Sequence, residues 1–354
     1  MTIAEDLLRG PRGRRLCLSS VGAIDEAVSA AVFWLGHALD PHPGTLLRLF
    51  GDVDAAPDDP VFTEQDVAAA IGRADLASIS ADIARDALCD TVDHARYWQE
   101  PDGSDVVAAL PAVREALVAV AERLVPVLPD PAAPFTPQQW AVEWCAVAES
   151  GPVERAPAAL LAQWTREQRE AEERAWRERP KDPHANFSGE WWSAPYQLLS
   201  TRAEPMDALQ LVEDSLGWQV ATVIAVRGAG RILEIRTEAD WAALCRAFPM
   251  EVTASRRHDW FRVTGHDGRW LIPDWERVAE RWDAVHLTTL GYLSAATRRI
   301  DIDGEYASVI AGWGPDATVW LTDVAGEGDE PRRQWQRAHN ENVWMPEDAE
   351  TGPL

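Results

Sequence analysis

The sequence predicts an α+β fold in which a helical N-terminal region precedes a tryptophan-rich domain with a mainly antiparallel sheet. Helical periodicity dominates the first third of the 354 residues, whereas short β-rich runs separated by turns follow residue 190. Tryptophan marks the same division, because ten of the 18 Trp lie between Trp191 and Trp320. Strands mixed with short helices and turns are typical of α+β domains.

Apolar residues at helical spacing predict that residues 1–125 form a helical N-terminal domain. Ile24–Leu39 is a nearly continuous apolar run and is predicted to be one of its helices. Thr63 can cap a second helix, since Asp66 follows three residues later in a capping-box arrangement. A third helix is predicted over Val106–Leu124.

Residues 126–189 are predicted to form a proline-rich linker followed by bridging helices. The segment 126–134 contains four prolines and cannot sustain a helix or a sheet. The sequence Thr136–Gln139 has the pattern of a helix start, with Thr136 as the N-cap and a proline at the first helical position. A further helix is predicted over Ala156–Arg179, where the apolar stripe is narrow.

Residues 190–324 are predicted to form the Trp-rich α+β domain, and residues 325–354 a polar tail. Val220–Val226 and Arg231–Arg236 are β-rich runs joined by a glycine-containing turn, which is the pattern of a hairpin. A short helix is predicted after Thr237. The other predicted strands are Val252–Ser255, Trp260–Thr264, Ala284–Thr289, Ala307–Gly312 and Ala317–Thr322.

The composition predicts an acidic protein of the cytoplasm. The formal net charge is −25, and a field of that sign repels nucleic-acid backbones and anionic membranes, so neither is expected as a partner. No signal peptide or membrane span is predicted. Lys181 is the only lysine, a bias typical of a GC-rich bacterial genome. Four cysteines stand far apart, which favours free thiols over disulfides or a metal site: Cys17, Cys89, Cys145 and Cys245.

His286 is the first candidate for a chemical role. On a strand, Ala284, His286 and Thr288 share one face, while Val285 and Leu287 take the other, so the imidazole is expected to point away from the core. A neutral imidazole there could orient a ligand or act as an acid or base. The alternative is a histidine with a structural role.

A cluster of cations among aromatic residues is the second candidate. It consists of Arg256, Arg257, His258 and Trp260, and Trp275 offers a further ring. Because guanidinium groups suit phosphates and indole rings suit planar bases, the cluster predicts an anionic ligand. Alternatively, the arginines balance an acidic surface.

Two further motifs each allow two interpretations. Glu213-Asp214 could bind a cation or form a turn that leads into the strand at Val220. Trp191-Trp192 could be a stacking platform for a ligand or the lid of the domain's core. The common hydrolase, nucleotide-phosphate and zinc-protease motifs do not occur in the sequence, and no metal site is predicted.

Four short segments of the C-terminal half carry a family resemblance. They are Arg231–Arg236, Asp240-Trp241, Pro273–Trp275 and Trp282–Thr288. Together they resemble the ADP-ribosyltransferase superfamily in its divergent bacterial forms, and the last segment is similar to one in the related RNA 2′-phosphotransferases. Members are compact split-sheet domains that bind NAD in a cleft, so the resemblance implies NAD as the cofactor.

The resemblance also implies catalytic positions. It places an Arg or His on an early strand, a hydroxyl residue in the middle and a Glu on a late strand. Arg202 fills the first position and Glu305 the last, with Thr288 or Tyr292 between them, and His286 joins the catalytic set. None of these residues lies in a recognisable family motif.

Two functions are compatible with these patterns. The first is an NAD-binding transferase fold of the ADP-ribosyltransferase type, active or degenerate. The alternative is a non-catalytic module whose Trp-rich surface binds a protein partner. A concave site where His286 meets Arg202, Arg256 or Arg257 would favour the enzyme, whereas a flat patch of Trp would favour the module.

Overall fold

The chain folds into two compact units. The computed structural model describes residues 2–42, 60–129, 133, 135–153, 156–338 and 343–347. The first unit comprises the described residues up to Thr91 together with Gln99–Leu128, and the second comprises Val92–Trp98 and the chain from Pro129 onward. Within the described residues the first unit is helical and the second contains the strands, which confirms the predicted α+β fold.

The helical N-terminal region contains seven α-helices within the described residues. They are α1 (Ile3–Leu7), α2 (Pro11–Ile24), α3 (Glu26–Leu39), α4 (Glu64–Arg73), α5 (Ala81–Asp93), α6 (Gly103–Ala109) and α7 (Pro111–Leu124). The capping box predicted at the start of α4 is present: the Thr63 hydroxyl accepts from the Asp66 N–H, and the Asp66 carboxylate accepts from the Thr63 N–H.

Close packing and buried ion pairs hold these helices together. A Cβ on Gly103 of α6 would lie 2.0 Å from the carbonyl oxygen of Gly36 on α3, so the two backbones can approach this closely only because residue 103 is glycine. Arg12 of α2 pairs with Asp105, and Arg15 lies 2.6 Å from Asp102. Although burial raises the pKa of Asp102, the charge and hydrogen bond of Arg15 lower it below its ordinary value.

The helix start predicted at Thr136 is wrong, because this segment is a strand. β1 (Gln138–Glu143) pairs antiparallel with β3 (Val220–Gly228) along its whole length. The Thr136 carbonyl accepts from the side-chain amide of Gln139. Hydrogen bonds to a strand about 80 residues away therefore outweigh the local capping signal.

The predicted helix over Ala156–Arg179 is present as α8 (Pro157–Glu178). It packs on α11 (Thr253–Thr264) and α12 (Trp275–Ala279) of the second unit. Its Glu172 carboxylate accepts from the backbone N–H groups of Ala254 and Ser255, both at 2.8 Å. A carboxylate from one helix thus caps the first turn of another.

The strands predicted at 252–255 and 260–264 are instead the single helix α11. Its N-cap residue Val252 has no capping side chain, and the helix ends at Gly265, whose φ is 67°. The β-branched residues and Trp260 suggested strands, but the capping carboxylate of Glu172 and burial of nearly the whole helix stabilise the helical form.

The remaining elements of the second unit form three sheets with short helices between their strands. The elements are β2 (Ser200–Thr201), α9 (Pro205–Gln210), β4 (Ile232–Ile235), α10 (Glu238–Ala247), β5 (Pro249–Glu251), β6 (Arg269–Pro273), β7 (Ala284–Leu287), α13 (Thr289–Ala295), β8 (Ile300–Asp301), β9 (Tyr306–Ser308), β10 (Ala317–Trp320), β11 (Ala325–Glu327), β12 (Arg333–Gln336) and β13 (Met345–Pro346).

The pairing in these sheets is mainly antiparallel, as predicted. The first sheet has the order β1-β3-β12-β13, with β11 also on β3. The second has the order β2-β10-β7-β4 and the third β5-β6-β9-β8. The pairs β4–β7 and β6–β9 are parallel.

The predicted hairpin is wrong, and the segment predicted as a polar tail contains strands. The runs at 220–226 and 231–236 form strands but not a hairpin, since β4 pairs with β7 in the second sheet. The predicted polar tail contains strands β11, β12 and β13, and both β11 and β12 pair with β3. In each case, β3 forms its hydrogen bonds with strands that are distant in sequence.

Buried tryptophans fill the second unit, and most have a partner for the indole N–H. Trp241 donates to the Ser308 hydroxyl at 2.9 Å and Trp320 to the Thr201 hydroxyl at 2.9 Å. Because each of these N–H groups is satisfied, the two large side chains can be fully buried without an unpaired indole nitrogen.

The short segment Val92–Trp98 belongs to the second unit although it lies between helices of the first in sequence. The Tyr97 hydroxyl donates to Glu213, and the Asp93 carboxylate accepts from the Ser215 N–H at 2.8 Å. None of the described helices is both long and apolar enough to cross a membrane.

Candidate functional site

His286 lies on the inner strand β7 with 13% of its side chain exposed. Its Nε2 is 3.3 Å from a carboxylate oxygen of Asp316, and the Phe135 ring packs on it edge-on at 6.1 Å. The expectation that His286 points away from the core is wrong, because both faces of β7 are covered: Ala284 and Val285 are fully buried on opposite faces.

Asp316 connects two of the predicted catalytic residues. Burial raises its pKa, but the side-chain interaction with His286, the Ala203 N–H and the charge of Arg202 together lower it below the ordinary value. The Arg202 guanidinium donates to the carbonyls of Pro315 at 3.0 Å and Leu211 at 2.6 Å. His286 and Arg202 are therefore near neighbours of one carboxylate.

Arg256 is a buried residue of α11, and its guanidinium is bound by other groups of the same chain. Its guanidinium donates to the Trp192 carbonyl at 2.9 Å and to the Gln168 amide oxygen, and it lies 3.5 Å from Glu190. Burial lowers its pKa to about 10, against the opposing effect of Glu190. The guanidinium thus remains charged at neutral pH and links α8 to the segment that carries Trp192.

The other members of the predicted cation cluster are also buried. Arg257 donates to the Pro180 carbonyl at 3.1 Å, and His258 is fully buried. Burial lowers the pKa of His258, and the charges of Arg179 and Arg257 add to this effect. Trp260 donates to the Trp191 carbonyl at 3.0 Å and Trp275 to the Ser193 carbonyl at 2.9 Å.

Thr288 and Tyr292 lie one turn apart at α13, whereas Glu305 lies in another element. Thr288 caps α13, where its hydroxyl accepts from the Gly291 N–H, and Tyr292 is buried on the same helix. Glu305 precedes β9 and forms an ion pair with Arg269. The structure therefore groups His286 and Tyr292 with Arg202, whereas Glu305 is paired with Arg269 of β6.

A concave, aromatic-lined cavity in the second unit is the strongest candidate site. It has a volume of about 280 Å³ and is called the Trp cleft below. Its charged lining residues are Arg202 and Glu213. Its aromatic lining residues are Trp140, Trp144, Trp191, Trp192, Tyr196 and Trp313.

Stacked rings form one wall of the Trp cleft. The rings of Trp191 and Trp192 lie 3.9 Å apart at 22°, Tyr97 stacks on Trp191 at 5.5 Å, and Tyr196 lies 5.1 Å from Trp192. Gly312, with a φ of 71°, allows this packing, because a Cβ there would be 2.3 Å from the Trp192 ring. Tyr196 is 60% exposed, so the wall reaches solvent.

The strand β1 and the residue after it supply further lining residues. Trp140, Val142 and Trp144 alternate along the chain, so they share one face, and all three line the cleft. Trp144 stacks on Trp218 at 4.6 Å and 9°, which holds its ring in place. Sequence reasoning missed Trp140 and Trp144, although their period of two was a strand signal inside a segment interpreted as a helix start.

A second, larger cavity has fewer charged groups in its lining. It has a volume of about 600 Å³, and Val153, Leu199, Trp320 and Asp323 are among its lining residues. Asp323 is the charged residue among those that line it. Small-molecule sites combine apolar walls with several convergent polar groups, which this cavity does not offer.

Nothing in the described part of the chain groups three or more His, Cys, Asp or Glu side chains in a way that could hold a metal ion. Among the residues that the structure describes, the Trp cleft is lined by six aromatic side chains, one guanidinium and one carboxylate. Comparison of the chain with protein-family models, curated proteins and solved structures gives no match.

Proposed function

We propose that this protein is a non-catalytic binding module whose Trp cleft receives a side chain of a protein partner. The carrying observation is the cleft itself, where six aromatic residues surround one concave site that opens to solvent. Aromatic side chains, Trp and Tyr above all, are enriched in protein interfaces and dominate their binding energy.

The size of the cleft supports a side chain as the occupant. Its volume of about 280 Å³ lies just below the range of roughly 300–1,000 Å³ that is typical of sites for whole small molecules. One amino-acid side chain fills such a space, while the exposed ring of Tyr196 and the rim can contact the neighbouring residues of a peptide.

The polar groups of the cleft are better suited to binding than to catalysis. Arg202 donates to two backbone carbonyls, and Glu213 accepts from the Tyr97 hydroxyl. Neither His286 nor Glu305 is among the residues that line the cleft. A catalytic pair needs two groups that converge on one reacting atom.

A selection of peptides from a random display library on the immobilised full chain tests this proposal. We expect enriched peptides to share one anchor side chain, and Trp192→Ala to weaken their binding at least about tenfold, because it removes the stacking surface. Tyr196→Ala is a milder second variant, since its ring is 60% exposed. Trp176→Ala is the matched control, because Trp176 is 62% exposed on α8 and does not line the cleft.

Binding that is unchanged in both Trp192→Ala and Tyr196→Ala would contradict the proposal. A library that yields no enriched sequence would contradict it as well. Circular dichroism on each variant separates loss of binding from loss of fold.

A second candidate is the NAD-binding transferase fold that the resemblance to ADP-ribosyltransferases implies. The observation in its favour is that Arg202, the residue assigned to the early strand, lines the Trp cleft beside aromatic rings. NAD enters the same experiment as a competitor, and its binding would raise the melting temperature by mass action. Displacement of the peptides by NAD would favour this second candidate.

A further inference from the structure

We infer that the side chain bound in the Trp cleft is cationic, that of an arginine or lysine in a basic segment of the partner. This inference rests on the proposed function and names the chemical class of the occupant. It depends on the aromatic faces, on the balance of charge around the cleft and on the groove that adjoins it.

The aromatic walls favour a cation. The face of an indole carries a partial negative charge, so a guanidinium or ammonium within about 6 Å of the ring centroid is attracted to it. Trp140 and Trp144 line the cleft, and so does the row of Trp191, Trp192 and Tyr196. A cation in the cleft therefore lies beside more than one ring.

Carboxylates outnumber cations around the cleft. Among the described residues that line it, Arg202 is the one cation, and the charges of Asp316, Asp207 and Glu213 all act on this guanidinium. Its N–H groups donate to backbone carbonyls, so it is held in place rather than aimed at a ligand. Of these three carboxylates only Glu213 is among the residues that line the cleft, and together they exceed the charge of the single guanidinium, an excess that a bound cation would offset.

A groove that shares two of these aromatic residues extends this pattern. Trp192 and Tyr196 line both the cleft and the groove, which has a volume of about 280 Å³ and runs along α8. Glu167, Glu170 and Glu190 line the groove together with Arg174 and Arg256. Because Arg256 is bound to Gln168, the Trp192 carbonyl and Glu190, the groove offers Glu167 and Glu170, beside Arg174, to a second basic residue of the partner.

The charge of the whole chain acts in the same direction. A net charge of −25 attracts basic segments over long range and repels acidic ones. The long-range field alone brings basic peptides to many places on the surface, so a test must separate attraction in the cleft from attraction elsewhere.

The test compares two peptides on the full chain: acetyl-Gly-Arg-Gly-Arg-Gly-amide and the same peptide with citrulline at both arginine positions. Citrulline has nearly the shape of arginine but no charge. Titration calorimetry and tryptophan fluorescence measure both affinities. We expect the arginine peptide to bind at least about tenfold tighter, the difference that contact of a desolvated cation with aromatic faces gives.

Two variants locate the effect. Glu213→Gln removes one charge inside the cleft and is expected to reduce the preference for arginine over citrulline several-fold. Glu173→Gln removes one charge from an exposed position of α8 that lines neither cavity, and it is expected to leave the preference unchanged. Trp192→Ala is expected to reduce the affinity for the arginine peptide at least about tenfold.

Equal affinity for the two peptides would show that the inference is wrong while the proposed function stands. Equal effects of Glu213→Gln and Glu173→Gln, no effect of Trp192→Ala, or no binding of the arginine peptide would also overturn it. The proposed function is decided separately by the library selection, where the anchor residue would then be neutral.

Discussion

Two groups of tryptophan residues in this protein differ in the environment of the indole ring. In the core, Trp241 and Trp320 are buried and donate the N–H to hydroxyl oxygens of the same unit. Around the Trp cleft, Trp140, Trp144 and Trp192 are half-buried and line one cavity. The high tryptophan content therefore serves both packing and the candidate site.

Trp320→Ala is expected to lower the free energy of unfolding by about 3–5 kcal/mol. Trp320 is 1% exposed, its N–H donates to Thr201, and its ring lies so close to Gly228 that a Cβ there would be 2.2 Å away. Removing the ring leaves a cavity and an unpaired hydroxyl acceptor. Urea denaturation followed by circular dichroism measures the change.

Trp176→Ala provides the comparison for this prediction. Trp176 is 62% exposed, so a loss of less than about 0.5 kcal/mol is expected from a substitution of the same size. Similar losses in the two variants would mean that burial does not determine the stability contributed by tryptophan here.

The sequence identified part of the candidate site, but it could not show which charged side chains are buried and which are exposed. Trp191-Trp192 and Glu213 were singled out by their residue types, and all three line the Trp cleft. Arg256 was singled out by the same reasoning, yet it is buried and donates to the Trp192 carbonyl. Spacing along a strand or helix does not reveal which arginine has an internal acceptor, since the acceptor comes from elsewhere in the chain.

At the scale of elements, local signals predicted helices well where the helix supplies its own cap. Thr63 with Asp66 and Thr237 with Asp240 form the predicted capping boxes of α4 and α10. Thr136 offered a similar signal, but its segment became a strand because β3 supplies the hydrogen bonds. Pairing between distant strands is encoded in the whole chain, so a local window cannot contain it.

The N-terminal cap of helix α11 comes from another helix, so the local sequence of α11 does not reveal it. Glu172→Gln is expected to destabilise the protein by about 1 kcal/mol, since it removes the charge that accepts from the Ala254 and Ser255 N–H groups. Glu173→Gln, at the adjacent exposed position, is expected to change stability by less than about 0.5 kcal/mol. Chemical denaturation of both variants measures this difference. Equal effects would show that Glu172 contributes no capping energy.

At the scale of the whole molecule, the pairing of β1 and the packing of α8 bear on where the Trp-rich domain begins. The sequence places its boundary between residues 180 and 192, after a bridging helix. In the structure, β1 pairs with β3, and α8 packs on α11 and α12. A domain that lacked both elements would expose the backbone of β3 and the apolar face of α11.

Limited digestion with a protease of broad specificity is therefore expected to yield a stable C-terminal fragment that begins before residue 138. Mass spectrometry of the fragment gives its first residue. A fragment that begins between residues 180 and 192 would show instead that β1 and α8 are dispensable and that the boundary predicted from the sequence holds. Digestion of denatured chain serves as the control, since it should cut α8 at its many exposed charged residues.

The segment Val92–Trp98 is synthesised long before the residues that it contacts in the second unit. Every residue of the helical unit has been made once Leu128 has left the ribosome. Tyr97 and Trp98, however, reach Glu213 and Arg262 only 116 and 164 residues after their own synthesis. At translation rates of about 5–20 residues per second, this delay is on the order of ten seconds, far longer than helices need to form. The helices of the first unit can therefore form before Tyr97 and Trp98 meet their partners, and the growing chain carries these two aromatic residues of the later unit through that interval.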